Sequence, residues 1–497
     1  MVMVVEPAGG ARLNSYPKGL DLSLRRDSAE VRVRFLDPVI FYSLLALIAL
    51  TAIPYGTVQP WWIAAFECGV FLIAGLAVVD ATLNQKPSLR ISPVLPLLAL
   101  VFFALVQSVP IFRTGPIPAL TAVSADPYGT RSFAVQLFAL TLVILLVCRY
   151  VSSESRLRRL VFVIIGIAVA SALFGIARQH WQQSPGFLLP GLPIGNRSFA
   201  QFINRNHFAL LLELSLGLSL GLIAGEARSK RRLLLLLPIT ALLWVALIFS
   251  NSRGGILASL CQLLFIAVLV DPLRHLPARA GENNGRLRNV AGGMLVRAFL
   301  ILILVGLFAY GVGWIGGEPV VSNFQLATTD FSQQEMQNNT NTSRKEIWLA
   351  TWQMIKDHPL AGIGFGAYWI GITRYHHASG EITPQQAHND YLELMASGGL
   401  IAAALVLWFA VILVRKARRR LALNRGTYRA ASLGALTGIF GAAVHSFVDF
   451  GLHITVNALV FCVLIAIILL KEVAPESLLD RDSGLVIGSG VGRHLRS

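Results

Sequence analysis

The sequence predicts an all-α polytopic membrane protein with about 12 transmembrane helices and one partly helical outer loop between helices 9 and 10. Three observations predict it. Of the 497 residues, 55% are hydrophobic and the mean hydropathy is +0.64, too apolar for an ordinary water-facing surface. The apolar residues gather in runs of about 18 or more, each long enough to cross roughly 30 Å of hydrocarbon. These runs are apolar all round and lack the roughly ten-residue alternating segments of a membrane β-barrel, so helices that close their own backbone hydrogen bonds are expected.

Taken in order, residues 1–36 are polar and basic without a hydrophobic period, and are expected to form a disordered cytoplasmic tail. They show no cleavable leader pattern, so the first apolar run is expected to act as a retained signal-anchor. Helices 1–9 are expected within 37–315, at roughly 37–54, 61–80, 93–112, 132–150, 159–178, 207–225, 233–250, 254–270 and 294–315. The polar stretch 316–391 interrupts the series and is expected to be the catalytic loop on the outer face. Helices 10–12 follow within 392–471, at roughly 392–414, 429–448 and 453–471, the last two being the least cleanly separated. Residues 472–497 are expected to be a second cytoplasmic tail.

A net charge of +16 would suit a nucleic-acid partner, but its distribution argues for membrane topology instead. With the N-terminus inside, Arg25-Arg26, Arg158-Arg159, Lys230-Arg231-Arg232 and the basic run Arg415 to Arg420 all map to the cytoplasmic side. Ten of the 42 lysines and arginines fall outside: Arg113, Arg131, Arg178, Arg197, Arg205, Arg253, Arg344, Lys345, Lys356 and Arg374. The positive-inside bias accounts for the charge, so membrane lipids and no nucleic acid are the expected surroundings. Cys68, Cys148, Cys261 and Cys462 all lie in apolar runs without metal-ligand spacing, and are expected to be buried thiols.

Basic residues on the translocated side call for a reason. Arg113, Arg131 and Arg178 stand at span ends, where a snorkelling side chain reaches headgroups. Three others stand in more pointed settings. Arg205 lies in Asn204-Arg205-Asn206-His207, directly before a span. Arg253 occupies the short connection Asn251-Ser252-Arg253-Gly254-Gly255, where glycines allow close backbone approach and the next helix offers its positive end. Arg344 lies in Thr342-Ser343-Arg344-Lys345-Glu346, which reads as a helix start with Ser343 and Glu346 forming a capping box. Guanidinium groups grip phosphate oxygens bidentately and never titrate, so three on one face point to an anionic phosphate ligand. The outer loops hold no Asp-x-Asp pair or carboxylate cluster of the kind that holds Mg²⁺ or Mn²⁺, so neither a metal nor another cofactor is expected.

Within the loop, Ile347, Trp348, Thr351 and Ile355 give the stretch from Arg344 to Asp357 one apolar helical face. His358-Pro359-Leu360-Ala361-Gly362-Ile363-Gly364-Phe365-Gly366 then breaks it. Those glycines follow a helix and lack a lysine plus Ser/Thr, which excludes a P-loop. His388, just before a span, is the best candidate base, because an imidazole titrates near ~6.5 and can accept a hydroxyl proton at neutral pH. His376-His377 read as ordinary surface histidines. His445 and Asp449, four apart, share a helix face near the outer end of their span. Asp449 would orient His445 or the pair would lock helices together. Glu213, two turns into its span, would balance Arg205 or line the same cavity.

From about Arg205 to Asp449 this pattern resembles the O-antigen ligase/polymerase family of bacterial envelope glycosyltransferases. The resemblance rests on Ser343-Arg344-Lys345-Glu346-Ile347-Trp348, Asp357-His358-Pro359-Leu360-Ala361-Gly362-Ile363-Gly364, His388-Asn389-Asp390-Tyr391-Leu392, Gly398-Gly399 and the short Ser252-Arg253-Gly254-Gly255 connection. It implies a GT-C-like fold in the bacterial inner membrane, with the active site facing the periplasm and both termini cytoplasmic. It implies an undecaprenyl-diphosphate-linked glycan as donor, and lipid A-core or a growing polysaccharide as acceptor in lipopolysaccharide biosynthesis. By the same resemblance His388 is the catalytic base, Arg253 and Arg344 bind the diphosphate with Arg205 as a third, and the metal-independent reaction inverts the anomeric centre. Ligase-type transfer is the leading expectation. Polymerisation of repeat units and transfer to a protein hydroxyl use similar motifs. A secondary transporter is the alternative of another class; against it, the large loop follows the ninth span, no half-to-half repeat is visible, and mid-span charges are few, chiefly Glu67 and Glu213.

Overall fold

The computed structural model describes residues 22–53, 55–88, 90–110, 112–113, 120–180, 198–226, 230–270, 283–316, 344–376, 384–423 and 426–471. Ser343, and with it one half of the expected capping box, lies outside them, as do Arg197, His377 and residues 472–497.

Among the described residues nine helices precede the polar stretch: α1 Leu22–Thr51, α2 Pro60–Leu83, α3 Leu95–Gln107, α4 Pro127–Tyr150, α5 Glu154–His180, α6 Arg205–Glu226, α7 Lys230–Phe249, α8 Arg253–Leu269 and α9 Asn283–Gly316. Two described helices lie within it, α10 Arg344–Asp357 and α11 Tyr368–Gly371. Three follow: α12 Asp390–Leu423, α13 Gly426–His445 and α14 Thr455–Leu469. The only strands among the described residues are Phe112–Arg113 and Leu120–Thr121, an antiparallel pair with Phe112 opposite Thr121.

Every expected apolar run falls on a helix, but length and apolarity among the described residues do not confirm all twelve expected crossings. Among the described residues six helices, α2, α4, α5, α6, α7 and α12, are long and apolar enough to span a membrane, and five more apolar helical segments have 10–17 described residues. At 1.5 Å per residue, α8 and α14 rise about 26 and 22 Å, short of a full hydrocarbon layer. Helix α13 has the length, but glycine and alanine replace the larger apolar residues along it because most of it is buried against protein. Two further expectations need correction. Helix α1 begins at Leu22, inside the segment expected to be disordered, where Leu, Arg, Glu and Ala favour helix without any amphipathic period. Of the four thiols, Cys261 and Cys462 are buried, Cys148 is half-buried and Cys68 is exposed on α2, whose apolar surface is mostly turned outward.

The centre of the bundle is α6 against α13. Their backbones touch along Gly217, Gly221 and Gly225 on one helix and Gly438, Gly434 and Ala430 on the other. A Cβ on Gly217 would stand 2.3 Å from Gly438 N, and one on Gly221 2.2 Å from Gly434 N. Small residues at four-residue spacing allow this approach, and van der Waals contact holds it where lipid gives no hydrophobic drive. The antiparallel alignment continues outward and brings Glu213 beside His445. Gln262 of α8 ties the pair by donating to the carbonyls of Glu213 (3.0 Å) and Thr437 (3.2 Å).

The outer segment is fastened to the bundle by a broken helix. Gly399 departs from helical geometry inside α12 (φ 61°, ψ −159°), which frees backbone groups on both sides. The segment from Pro359 to Gly364 takes them up: Leu400 and Ile401 donate to the carbonyls of Pro359 (2.9 Å) and Leu360 (3.2 Å), while Ile363 and Gly364 donate to those of Ala396 (3.0 Å) and Ser397 (2.9 Å). A Cβ on Gly399 would stand 2.4 Å from the Leu360 carbonyl, and one on Gly362 2.3 Å from the Ser397 backbone. Gly362 and Gly399 are therefore one device, backbone docking on backbone, whereas Gly364 and Gly366 make room for Ser124 and Gly129 at the start of α4. Helix α10 then lays Ile347, Ala350, Thr351, Met354 and Ile355 inward, on the face its periodicity predicted.

Candidate functional site

His388 is held from three sides. Trp348 Nε1 of α10 donates to the Ala387 carbonyl (3.0 Å), and Ala387 N donates to Glu393 Oε2 of α12 (2.9 Å). Asp390 N donates to the Ser446 carbonyl at the end of α13 (2.9 Å), and Ser446 Oγ returns a bond to Asp390 Oδ2 (2.7 Å). Asn389 caps α12 by accepting from the N–H groups of Tyr391 (3.0 Å) and Leu392 (3.1 Å). Between these anchors His388 adopts φ +50°, a left-handed conformation that costs a non-glycine residue about 1–3 kcal/mol. Its surroundings over-determine that strained turn, and its side chain keeps 34% exposure, open to a ligand.

Behind His388 a line of ionisable side chains runs into the bundle. His388 Nδ1 lies 3.6 Å from Asp449 Oδ1, His445 Nε2 lies 3.8 Å from Asp449 Oδ2, and His445 Nδ1 meets Glu213 Oε1 at 2.7 Å. Helix α13 ends at His445, and one further helical bond, Asp449 N to the His445 carbonyl (3.1 Å), places Asp449 between the two imidazoles. Burial alone would raise the Asp449 carboxyl, but His388, His445 and the more distant His207 hold it well below the usual carboxylate range. Phe450 N also donates to Asp449 Oδ1 (3.0 Å). Glu213 is thus the partner of His445, and no bond to Arg205 is formed as balance.

The arginines stand at helix starts. Ser252 caps α8 by accepting from Gly255 N (3.1 Å) and donates to Asn206 Oδ1 (2.8 Å), so the first turns of α6 and α8, carrying Arg205 and Arg253, lie side by side. The Gly254-Gly255 pair makes room for protein side chains: a Cβ on Gly254 would stand 3.2 Å from His445 Nε2, and one on Gly255 3.2 Å from Glu213 Oε1. Arg344, the first residue of α10, lies within electrostatic reach of both Asp449 and Arg253. His388, Asp449, His445, Glu213, Arg253 and Arg344 therefore converge, and Arg205 borders them through Asn206. Among the described residues, no group of three or more His, Cys, Asp or Glu is arranged to hold a metal ion.

Residues 238–407 match the model of the O-antigen ligase family. The match covers about a third of the chain, and over that stretch the chain is similar to O-antigen ligases. No curated protein matches the chain. The matched segment contains Arg253, Arg344 and His388, whereas Arg205, Glu213, His445 and Asp449 come from sequence outside it.

The sequence alone gave no role to several residues around this site. The Phe450 ring stands edge-on to His207 (4.9 Å), His388 (4.8 Å) and His453 (6.1 Å). His453 Nε2 faces Asp390 Oδ1 (3.5 Å) and Glu393 Oε1 (3.4 Å). The three-residue spacing of Asp390 and Glu393 at the mouth of an apolar run was a visible signal. That His453 and Phe450 stand over them was not, since a different connection supplies them.

Proposed function

We propose that the protein transfers a glycan from an undecaprenyl-diphosphate carrier to an acceptor hydroxyl on the outer face of the inner membrane, as an O-antigen ligase does. The observation that carries this reading is the convergence of His388 with Asp449 and two arginines, three of the four within the family-matched segment. With Nδ1 turned to Asp449, His388 presents Nε2 to the substrate. Nε2 takes the proton of the acceptor hydroxyl, the oxygen attacks the anomeric carbon, and the bond from that carbon to phosphate breaks. Its electron pair leaves on the carrier diphosphate, where Arg253 and Arg344 meet the charge with Arg205 at the border. Attack opposite the leaving group inverts the anomeric centre. Asp449, ionised and buried, stabilises the imidazolium that forms, and His445 with Glu213 holds Asp449 in place.

Arginines supply the charge that a divalent metal would otherwise provide, so transfer should continue in excess EDTA; complete loss restored by Mg²⁺ would refute metal independence. The deciding experiment places purified protein in liposomes with undecaprenyl-diphosphate oligosaccharide, with and without lipid A-core, and reads product masses. A glycan-capped lipid A-core is the expected product. A ladder of longer glycans on the carrier would mean a polymerase, and substrate flux without a new glycosidic bond would mean a transporter.

A further inference from the structure

At the end of the bundle opposite His388, a cavity of about 70 Å³ opens where α5, α6, α7 and α13 meet. Arg158, Val161, Phe162, Leu222, Arg232 and Thr427 line it. Thr427 is 18 residues from His445 along α13, about 27 Å from the candidate site, so the cavity is no part of that site. Its volume matches roughly two waters, the scale of a headgroup phosphate rather than of a sugar. Val161, Leu222 and Thr427 form a buried floor, whereas Phe162 is 45% exposed at the rim.

The two arginines differ in how they are held. Arg158 is pre-set: its Nη2 donates to Glu154 Oε1 (2.6 Å) and Thr427 Oγ1 (2.7 Å), and Thr427 Oγ1 donates to the same carboxylate (2.8 Å). Arg232 is exposed and lies within electrostatic reach of Glu154. One carboxylate thus faces two guanidiniums, and Lys230 and Arg231 add exposed charge at the start of α7, so the rim stays cationic. Directly after Arg232, Leu234 and Leu235 are 76% and 54% exposed on a helix apolar enough to span a membrane. Topology alone would require only the charge. It would not require a guanidinium fixed by two hydrogen bonds over an apolar recess that faces lipid.

We propose that this cavity binds the phosphate headgroup of an anionic phospholipid, with Arg158 and Arg232 on the phosphate and an acyl chain along Phe162 and the leucines of α7. Basic pockets between membrane helices at the cytoplasmic surface recognise such headgroups, and the exposed apolar rim selects a lipid over a free anion.

The test is native mass spectrometry of the purified full chain with phosphatidylglycerol, cardiolipin, phosphatidylethanolamine or inorganic phosphate. Anionic lipid should be retained in preference to phosphatidylethanolamine, and inorganic phosphate should not displace it. Because a basic residue at a membrane surface contributes about 1 kcal/mol, Arg232→Gln should weaken retention about five-fold. The paired control Arg415→Gln with Lys416→Gln, at the same end on α12, should leave it unchanged. Arg232 is exposed, so its substitution leaves packing intact; Phe162→Gln provides a second variant that should weaken lipid and leave any phosphate binding alone. Equal loss in the control, equal retention of phosphatidylethanolamine, or displacement by inorganic phosphate would overturn the proposal. None of these outcomes depends on glycosyl transfer.

Discussion

Two buried charge clusters stand at opposite ends of this bundle, and they are built differently. At the far end Asp80, fully buried, receives Lys86 Nζ (2.6 Å), Asn84 Nδ2 (2.7 Å) and the Tyr150 hydroxyl (2.6 Å). Lys86 also reaches Asp37 (2.9 Å), which pairs with Arg156. No buried side-chain atom of Asp80, Lys86, Tyr150 or Arg156 lacks a hydrogen-bond partner, although Nε and Nη2 of Arg149 beside them do. At the His388 end, by contrast, His388 Nδ1, His445 Nε2, Asp449 Oδ2, Glu213 Oε2 and His207 Nε2 are all buried without one. Satisfied charge clasps α1, α2, α4 and the start of α5 together. Unsatisfied charge in a low-dielectric setting is costly, and its persistence beside a partly exposed imidazole is what the proposed site of ligand binding and proton transfer would require.

The comparison can be broken most sharply at His388. Replacement by Asn, which tolerates the left-handed backbone, should lower transfer by about 10²–10⁴-fold with little change in the melting transition. Asp80→Ala should do the reverse, costing about 3–5 kcal/mol of stability by leaving Lys86 partly unpaired while turnover per folded molecule is kept. If Asp80→Ala abolished transfer in protein that remains folded, the division between clasp and site would be wrong. Arg253→Lys and Arg344→Lys keep the charge and lose the bidentate fork. Each should reduce transfer about 10–100-fold, read as initial rates with the lipid-linked donor. Trp348→Phe keeps the ring and removes the donor to Ala387, a bond contributing about 0.5–1.5 kcal/mol. A fall of up to about ten-fold in transfer, with stability little altered, is expected.

Asp449 gives the subtlest test. Its carboxyl is held below the ordinary range, so its contribution to stability is present above the unfolded value near ~3.9 and is lost as pH falls through the lower folded value. The stability gap between wild type and Asp449→Asn should stay level from about pH 8 to 5 and close only below about pH 4. A gap that closes already near neutrality would show that Asp449 is not held as a carboxylate.

Much of this was legible in the residues. The positions of the apolar helices, the buried face of α10 and the placement of His388 against the start of α12 follow from period, polarity and a breaker, all local signals. The number of true crossings was less legible, because hydropathy does not distinguish an apolar helix facing lipid from a short one packed in protein. The glycines of 362–366 were read only by exclusion. The role of the segment carrying Gly362 and Gly364, taking up the hydrogen bonds freed at Gly399, requires a partner more than 30 residues away.

By itself, then, the sequence determined which residues are chemically able: an imidazole at a span boundary, arginines where arginines are disfavoured, and carboxylates inside apolar runs. Tertiary structure alone decided their partners. Asp449 serves His388 as well as His445, Glu213 answers His445 and not Arg205, and Trp348 steadies the turn that presents the imidazole. The reason is physical: helix period fixes which face a side chain takes, whereas a hydrogen bond across helices depends on how closely their backbones approach. Here that distance is set by the glycines that let α6 and α13 touch.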